Sequence, residues 1–359
     1  MKKRIRAIGV TLGFLLLLAG GGVWYLNWMM RQPMYSFGDV REGKNLRASL
    51  VPPEQSDSET WLVEPDIRLG FDAHGEGHPV LIVHGGPGMP YPSNWKGLAS
   101  LTDRFRFYFY HQRGCGRSTR PFDRFSGGYY QNMVELEQTL GLGAQIADIE
   151  RIRQILGREK ITLIGHSFGG FIAALYAAEF PDRVDKLVLV APAGMLTPPD
   201  KERDLFQLTR AKLAERQQEA FDIFRNEYLD FGNIFEKSDK DLADRHQRLG
   251  EFVLSALDRP ASDLRDHPPV GGWSVFALYF SVGRAQDYRP ALQAITAPTL
   301  IIQGEDDELA LAGTNTYKPI PGSRFAILKR ETETQQAGHF VFDESPHTFA
   351  DRVEQFLSE

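Results

Sequence analysis

The sequence predicts an α/β domain: a mostly parallel, doubly wound sheet with a helical cap inserted into it, preceded by one N-terminal transmembrane helix. Three observations predict it. Short apolar runs recur at 79–83, 106–110, 161–164, 186–190, 299–302 and 325–328, and helical patterns separate several of them, as at 144–156 and 168–180. Such alternation belongs to parallel strands joined by crossover helices. The rhythm stops between 196 and 290, where charged helical segments take over, as an insertion over the strand ends would read. Finally, Lys2, Lys3, Arg4 and Arg6 precede a charge-free run over 7–26, long enough to span a bilayer. The resulting division is an anchor or signal segment over 1–28, a linker over 29–58, a core formed by 59–195 with 291–359, and a cap over 196–290.

The N-terminal run ends among Trp24, Tyr25 and Trp28, aromatics that favour the lipid–water interface. The basic residues before it place the N-terminus in the cytoplasm and the remainder of the chain on the extracytoplasmic side, periplasmic or extracellular. Ala19, Gly20 and Gly21 offer the alternative of a cleaved signal and a secreted protein. Residues 29–58 mix charge, proline and glycine without a period and read as a tether or an irregular lead-in. The alternating stretch 60–72, with a proline inside it, suggests a hairpin of edge strands, followed by a polar turn at 74–78.

The 359 residues are 42% hydrophobic and 25% charged, an ordinary globular balance. A net charge of −6 leaves no electrostatic footprint for nucleic acid. Cys115 is the single cysteine, so no internal disulfide can form. There is no H-E-x-x-H, no clustered Cys/His spacing, no phosphate-binding loop and no dinucleotide fingerprint, so neither a metal nor a cofactor is implied.

The chemistry centres on G-H-S-F-G at 165–169, between an apolar strand and an alanine-rich helix. A serine at such a turn is strained and exposed at the strand end, and its neighbours two residues away must be nearly free of side chain. A serine hydroxyl needs a base and a third group to orient that base. The strand 299–302 runs into Glu305, Asp306 and Asp307; motif spacing selects Asp307 as the acid, with Asp306 as the competitor. His339, after Gly338 and before the closing helix 346–357, completes the order serine, acid, histidine. His84 and His166 belong to their turns, and His347 to a solvated helix face. The N–H of Phe168, at the helix N-terminus, and that of Gly86, in the glycine-rich segment 84–88, are the predicted oxyanion donors; the Gly86–Pro87 bond is a candidate for cis geometry.

With these residues in place, the chain over about 60–359 resembles the α/β-hydrolase superfamily. The pair H-G-G-P-G at 84–88 and Q-R-G-C-G-R-S at 112–118 looks like the prolyl aminopeptidase (proline iminopeptidase) family. The resemblance implies a Ser167–Asp307–His339 triad, a cap that selects substrate, and release of an N-terminal residue from peptides through an acyl-enzyme. Two departures stand out. His111 occupies the place where the family usually has Asp, removing a local ion-pair partner from Arg113. Phe276 stands where a cap glutamate would hold the substrate ammonium, leaving Glu251, Asp258 and Asp263 as substitutes. Phe276 and Tyr279 are therefore the candidate substrate contacts. An apolar acyl pocket lined by cap aromatics (Phe206, Phe221, Phe224, Tyr228, Phe231, Phe276 and Phe280) is the alternative and would suit a carboxylesterase or lipase-like enzyme acting on small esters; packing the cap onto the core is the other role open to these rings. Epoxide hydrolases and dehalogenases share the fold but carry Asp at the apex, against Ser167. A non-catalytic, membrane-tethered binding protein is the reading from another class; all three triad positions are filled, which opposes it.

Overall fold

A computed structural model of the chain describes residues 32–93, 95–195, 204–260, 264, 267–283 and 286–359. The predicted span over 7–26 lies outside the described residues. Among the described residues no helix is long and apolar enough to cross a membrane.

Among the described residues eight strands form one sheet. In chain order they are β1 (Thr60–Glu64), β2 (Ile67–His74), β3 (His78–Val83), β4 (Phe105–Tyr110), β5 (Ile161–His166), β6 (Val184–Val190), β7 (Thr299–Gly304) and β8 (Arg324–Leu328). The spatial order is β1-β2-β4-β3-β5-β6-β7-β8. The predicted hairpin is the β1–β2 pair, antiparallel, and β2 joins β4 antiparallel. From β4 through β3, β5, β6 and β7 to β8 every pairing is parallel.

The continuous apolar strands follow from burial on both faces. Leu81, Val83, Leu163, Leu187 and Leu189 pack into one hydrophobic cluster, and Val80, Ile82, Ile164, Val188 and Val190 into another on the opposite side. Helix α1 (Tyr129–Leu140) gives Leu136 and Leu140 to the cap's aromatic cluster, while the first face is covered by α2 (Leu142–Ile155) and α3 (Phe168–Glu179). Alanine at 173, 174, 177 and 178 lets α3 lie close against the sheet, and all four are fully buried. The chain closes with a helix over Pro346–Ser358, whose proline sits at the N-terminus and whose Phe349, Val353 and Phe356 form one apolar face.

Between β6 and β7 the predicted insertion contains α4 (Leu205–Lys212), α5 (Glu215–Tyr228), α6 (Asp239–Ala256) and α7 (Trp273–Val282). Helix α6 starts with a reciprocal capping box, Asp241 N donating to Ser238 Oγ and Ser238 N to Asp241 Oδ2. These helices share an aromatic cluster built on Phe221, Phe224, Tyr228, Trp273 and Phe276.

Two expectations need correction. Residues 32–50 are irregular but do not form a loose tether: Tyr35 and Val40 are fully buried. Tyr35 Oη, Gly38 N and Arg41 N all donate to the carboxyl of Glu179 at the end of α3. Nor does His111 leave Arg113 unpaired. Arg113 Nε donates to Asp148 Oδ2 at 2.7 Å and a terminal nitrogen to Glu64 Oε1 at 2.9 Å. Arg151 pairs with the same two carboxylates, giving a buried, charge-balanced group of four that joins β1, α2 and the 112–118 loop. The partners come from 49 and 35 residues away, beyond the reach of a local motif. His111, buried and with its pKa pulled to about 4 by that burial, instead accepts the backbone N–H of Arg117 at its Nδ1.

Candidate active site

Ser167 sits between β5 and α3 with φ 53° and ψ −123°, a strained conformation for a residue with a side chain. The flanking glycines are required by close approach. A Cβ at residue 169 would lie 2.0 Å from the carbonyl oxygen of Val83, and one at residue 165 would lie 2.6 Å from that of Gly169. Strand β3 and helix α3 therefore pack backbone against backbone directly beneath the serine. Phe168 is the first residue of α3, so its N–H has no acceptor within the helix.

Asp307 follows the end of β7 and is 2% exposed. Its Oδ2 lies 2.9 Å from Nδ1 of His339, and its Oδ1 accepts the backbone N–H groups of Leu309 and Ala310 at 3.1 Å. Burial pushes the Asp307 carboxyl up, but the facing His339 and these donors outweigh it and hold the group below the usual carboxylate range. Burial likewise works to lower His339; Asp307 and, behind it, Glu344 more than offset this and leave the imidazole above its ordinary value, with Arg259 pulling the other way. Asp306 turns outward, accepting from Arg330 Nε at 2.7 Å and from Ala337 N at 3.0 Å. Of the two neighbouring acids, it is Asp307 that faces the histidine.

His339 is brought to the serine's side of the molecule through residue 166. His166 Nε2 lies 2.8 Å from the carbonyl oxygen of His339, and the two rings are 4.8 Å apart. A carbonyl can only accept, so Nε2 carries the proton, and burial keeps this imidazole neutral. His166 thus does more than complete a turn, a role that local sequence gave no means of reading.

The segment 84–88 passes over Ser167: a Cβ added at residue 85 would lie 2.8 Å from both Ser167 Cβ and His166 O. Gly86 has φ 117°, and the Gly86–Pro87 bond is cis. Sequence reading missed Tyr91, whose ring packs on His166 at 5.3 Å and on Phe340 at 5.9 Å. It also missed Arg259, which lies over the Phe340 ring at 4.4 Å and 3.3 Å from Glu344, the carboxylate that accepts Gly338 N.

The cap residues require a correction. Phe276 is fully buried, its ring 5.2 Å from Tyr228 and 5.9 Å from Phe231, so it is part of the cap's interior and does not present a free surface. Helix α7 is apolar on almost every side, and a helix of that kind is buried all round. Tyr279 is half-buried at the edge of the same cluster. Glu251 and Asp258 are exposed, and Asp263 lies outside the described residues.

A family model for the alpha/beta hydrolase fold matches residues 78–346. The chain is an α/β-hydrolase. A proline iminopeptidase from Neisseria meningitidis is 38% identical over 303 residues, 75% of this chain and 84% of that one. A (lyso)-N-acylphosphatidylethanolamine lipase from Homo sapiens is 28% identical over 330 residues, 88% of this chain and 87% of that one. Among solved structures, an esterase from Exiguobacterium antarcticum superposes with a TM-score of 0.50 at 22% identity, covering 82% of this chain and 96% of that one. An enol-lactonase from Burkholderia xenovorans superposes with a TM-score of 0.52 at 20% identity, covering 86% and 100%. The α/β-hydrolase is a hydrolytic enzyme resembling the prolyl aminopeptidases, with structural relatives that include esterases.

Proposed function

We propose that this α/β-hydrolase is a serine hydrolase working through an acyl-enzyme, with Ser167 as nucleophile, His339 as general base and then acid, and Asp307 as its orienting partner. The observation that carries the reading is the 2.9 Å His339–Asp307 hydrogen bond, made by a histidine whose carbonyl is tied to His166, the residue before a serine held at φ 53°. In this reading Nδ1–H of His339 donates to Asp307, leaving Nε2 to take the Ser167 proton as Oγ attacks the substrate carbonyl. The N–H groups of Phe168 and Gly86 receive the developing oxyanion. The imidazolium then protonates the leaving group, and a water activated by the same nitrogen releases the acyl group.

For the acyl group, the cap favours one without a free α-ammonium, as in small carboxylic esters. An aromatic core residue, Phe276, stands in place of a cap acid, and Glu251 and Asp258 face solvent. Glu344, close to His339, is engaged by Gly338 N and by Arg259. Enclosing an ammonium without a free carboxylate costs several kcal/mol. The second reading, an aminopeptidase of the prolyl type, is supported by the 38% identity to the Neisseria meningitidis enzyme and by the paired motifs at 84–88 and 112–118. The test compares kcat/KM of the full chain and its Ser167→Ala variant on a short-chain aryl ester, a prolyl aryl amide and the N-acetylated amide. Ester turnover alone supports the first reading. Cleavage of the free amine, abolished by acetylation, establishes the second, and activity surviving in Ser167→Ala would refute the triad.

The basic residues Lys2, Lys3, Arg4 and Arg6 and the charge-free run 7–26 support membrane attachment with the catalytic body outside the cytoplasm. Protease accessibility of the body in intact cells tests this; complete protection would overturn it.

A further inference from the structure

The loop carrying Gly86 is gripped from the cap side. His246, in the middle of α6, places Nε2 2.8 Å from the carbonyl oxygen of Pro87. Its Nδ1 lies 2.9 Å from the hydroxyl of Tyr228, the last residue of α5. The Tyr228 ring in turn contacts that of Tyr279 of α7, their centroids 6.2 Å apart. One residue further along the loop, Gly271 N donates to Gly88 O at 2.7 Å. His246 and Tyr228 are 2% and 1% exposed, so water does not stand in for these bonds.

The tautomer follows from the partners. Pro87 O is only an acceptor, so Nε2 of His246 carries the proton. Burial draws the His246 pKa to about 4, so at neutral pH the ring is uncharged and Nδ1 is bare. Tyr228 must then donate to Nδ1. The result is a directional relay of hydroxyl, imidazole and carbonyl that starts at the end of α5 and ends on the loop over Ser167. Two cap helices, α5 and α6, contribute to it, so it is complete only when the cap is seated.

We infer that His246 is a positioning residue for the oxyanion site, coupling the seating of the cap to the placement of the Gly86 N–H over Ser167. It touches no reacting atom. The inference rests on the roles given above to Ser167 and Gly86. It differs from a packing role in one respect: what matters is a donor at the Nε2 position, and side-chain volume alone does not supply it.

Glutamine and asparagine separate the two roles. The amide nitrogen of Gln reaches the place of Nε2, whereas that of Asn reaches only the place of Nδ1. In the full chain, His246→Asn is expected to lower kcat about 10- to 100-fold on whichever substrate the enzyme turns over, with KM within about threefold. His246→Gln is expected to recover kcat to within about fivefold of the unsubstituted enzyme, although both variants lose similar melting temperature. The rate of labelling of Ser167 by a fluorophosphonate should follow kcat. Equal kcat in the Asn and Gln variants, or a loss confined to KM, would overturn the inference. If the unsubstituted enzyme is labelled and His246→Asn is labelled equally fast, the coupling alone is wrong. If Ser167 is not labelled at all, the serine-hydrolase reading is wrong and the coupling falls with it. Should His246→Asn fail to fold, Tyr228→Phe removes one hydroxyl and carries the test: a several-fold fall in kcat supports the relay, and an unchanged kcat overturns it.

Discussion

His166 Nε2 donates a 2.8 Å hydrogen bond to the carbonyl oxygen of His339, so the residue before the serine braces the residue proposed as its base. Replacing His166 with Phe keeps a ring but removes the donor and leaves a carbonyl without that partner. A misplacement on the order of 1 Å near reacting groups costs roughly 100-fold in rate. We expect His166→Phe to lower kcat/KM by about 10- to 100-fold; an unchanged value would show that the aim of His339 does not depend on residue 166.

Asp306 and Asp307 are adjacent in sequence and opposite in environment. Asp307→Asn removes the acceptor for His339 and favours the wrong tautomer, with an expected fall in kcat of about 10⁴-fold. Asp306→Asn weakens an outward contact with Arg330 and is expected to leave kcat within about twofold, since exposed pairs contribute little. Steady-state kinetics on the two variants decide the assignment; the reverse ranking would exchange the two roles.

His339 must be neutral to accept a proton, and its pKa stands above the ordinary histidine value of about 6.5. Activity should therefore rise with pH through an acidic limb above that value. Glu344→Gln removes a negative neighbour and should move the limb to lower pH, whereas Arg259→Gln should move it higher. The same shift has a sign for stability. The His339 contribution is fully present below about pH 6.5 and is lost as pH rises through the folded-state pKa. A pH–kcat/KM series on the three proteins tests both directions.

The four-residue group of Glu64, Arg113, Asp148 and Arg151 predicts a large stability effect away from the site. Asp148→Asn leaves two buried guanidinium groups facing one carboxylate, and removing one partner of a buried pair costs about 3–5 kcal/mol. Urea unfolding should show a lower midpoint with little change in slope. A loss below about 1 kcal/mol would mean that water or local rearrangement takes over the charge.

Much of this was legible in the sequence where the information is local. Continuous apolar strands, the elbow at 165–169, an acid just past a strand end and a histidine between the last strand and the closing helix are local patterns. Relationships set by distant backbone were not legible. The pairing of Arg113 with Glu64 and Asp148 spans dozens of residues, as does the grip of His246 on Pro87, 159 residues away. Helix α1 (Tyr129–Leu140) escaped notice because Tyr129, Tyr130, Gln131 and Asn132 give its first turn no apolar period; it is fixed by packing on α7. Phe276 was assigned to a substrate surface because aromatics in a cap suit either role, and only its neighbours decide which.

The segment that docks on Glu179 bears on how short the enzyme can be made. Glu179 is 1% exposed and receives one hydroxyl and two backbone donors from residues 35, 38 and 41. A chain trimmed beyond residue 41 would strip all three donors from an enclosed carboxyl and open the floor of the helix that Ser167 heads. A self-sufficient soluble form must therefore begin before Tyr35, which makes these early residues part of the enzyme's foundation.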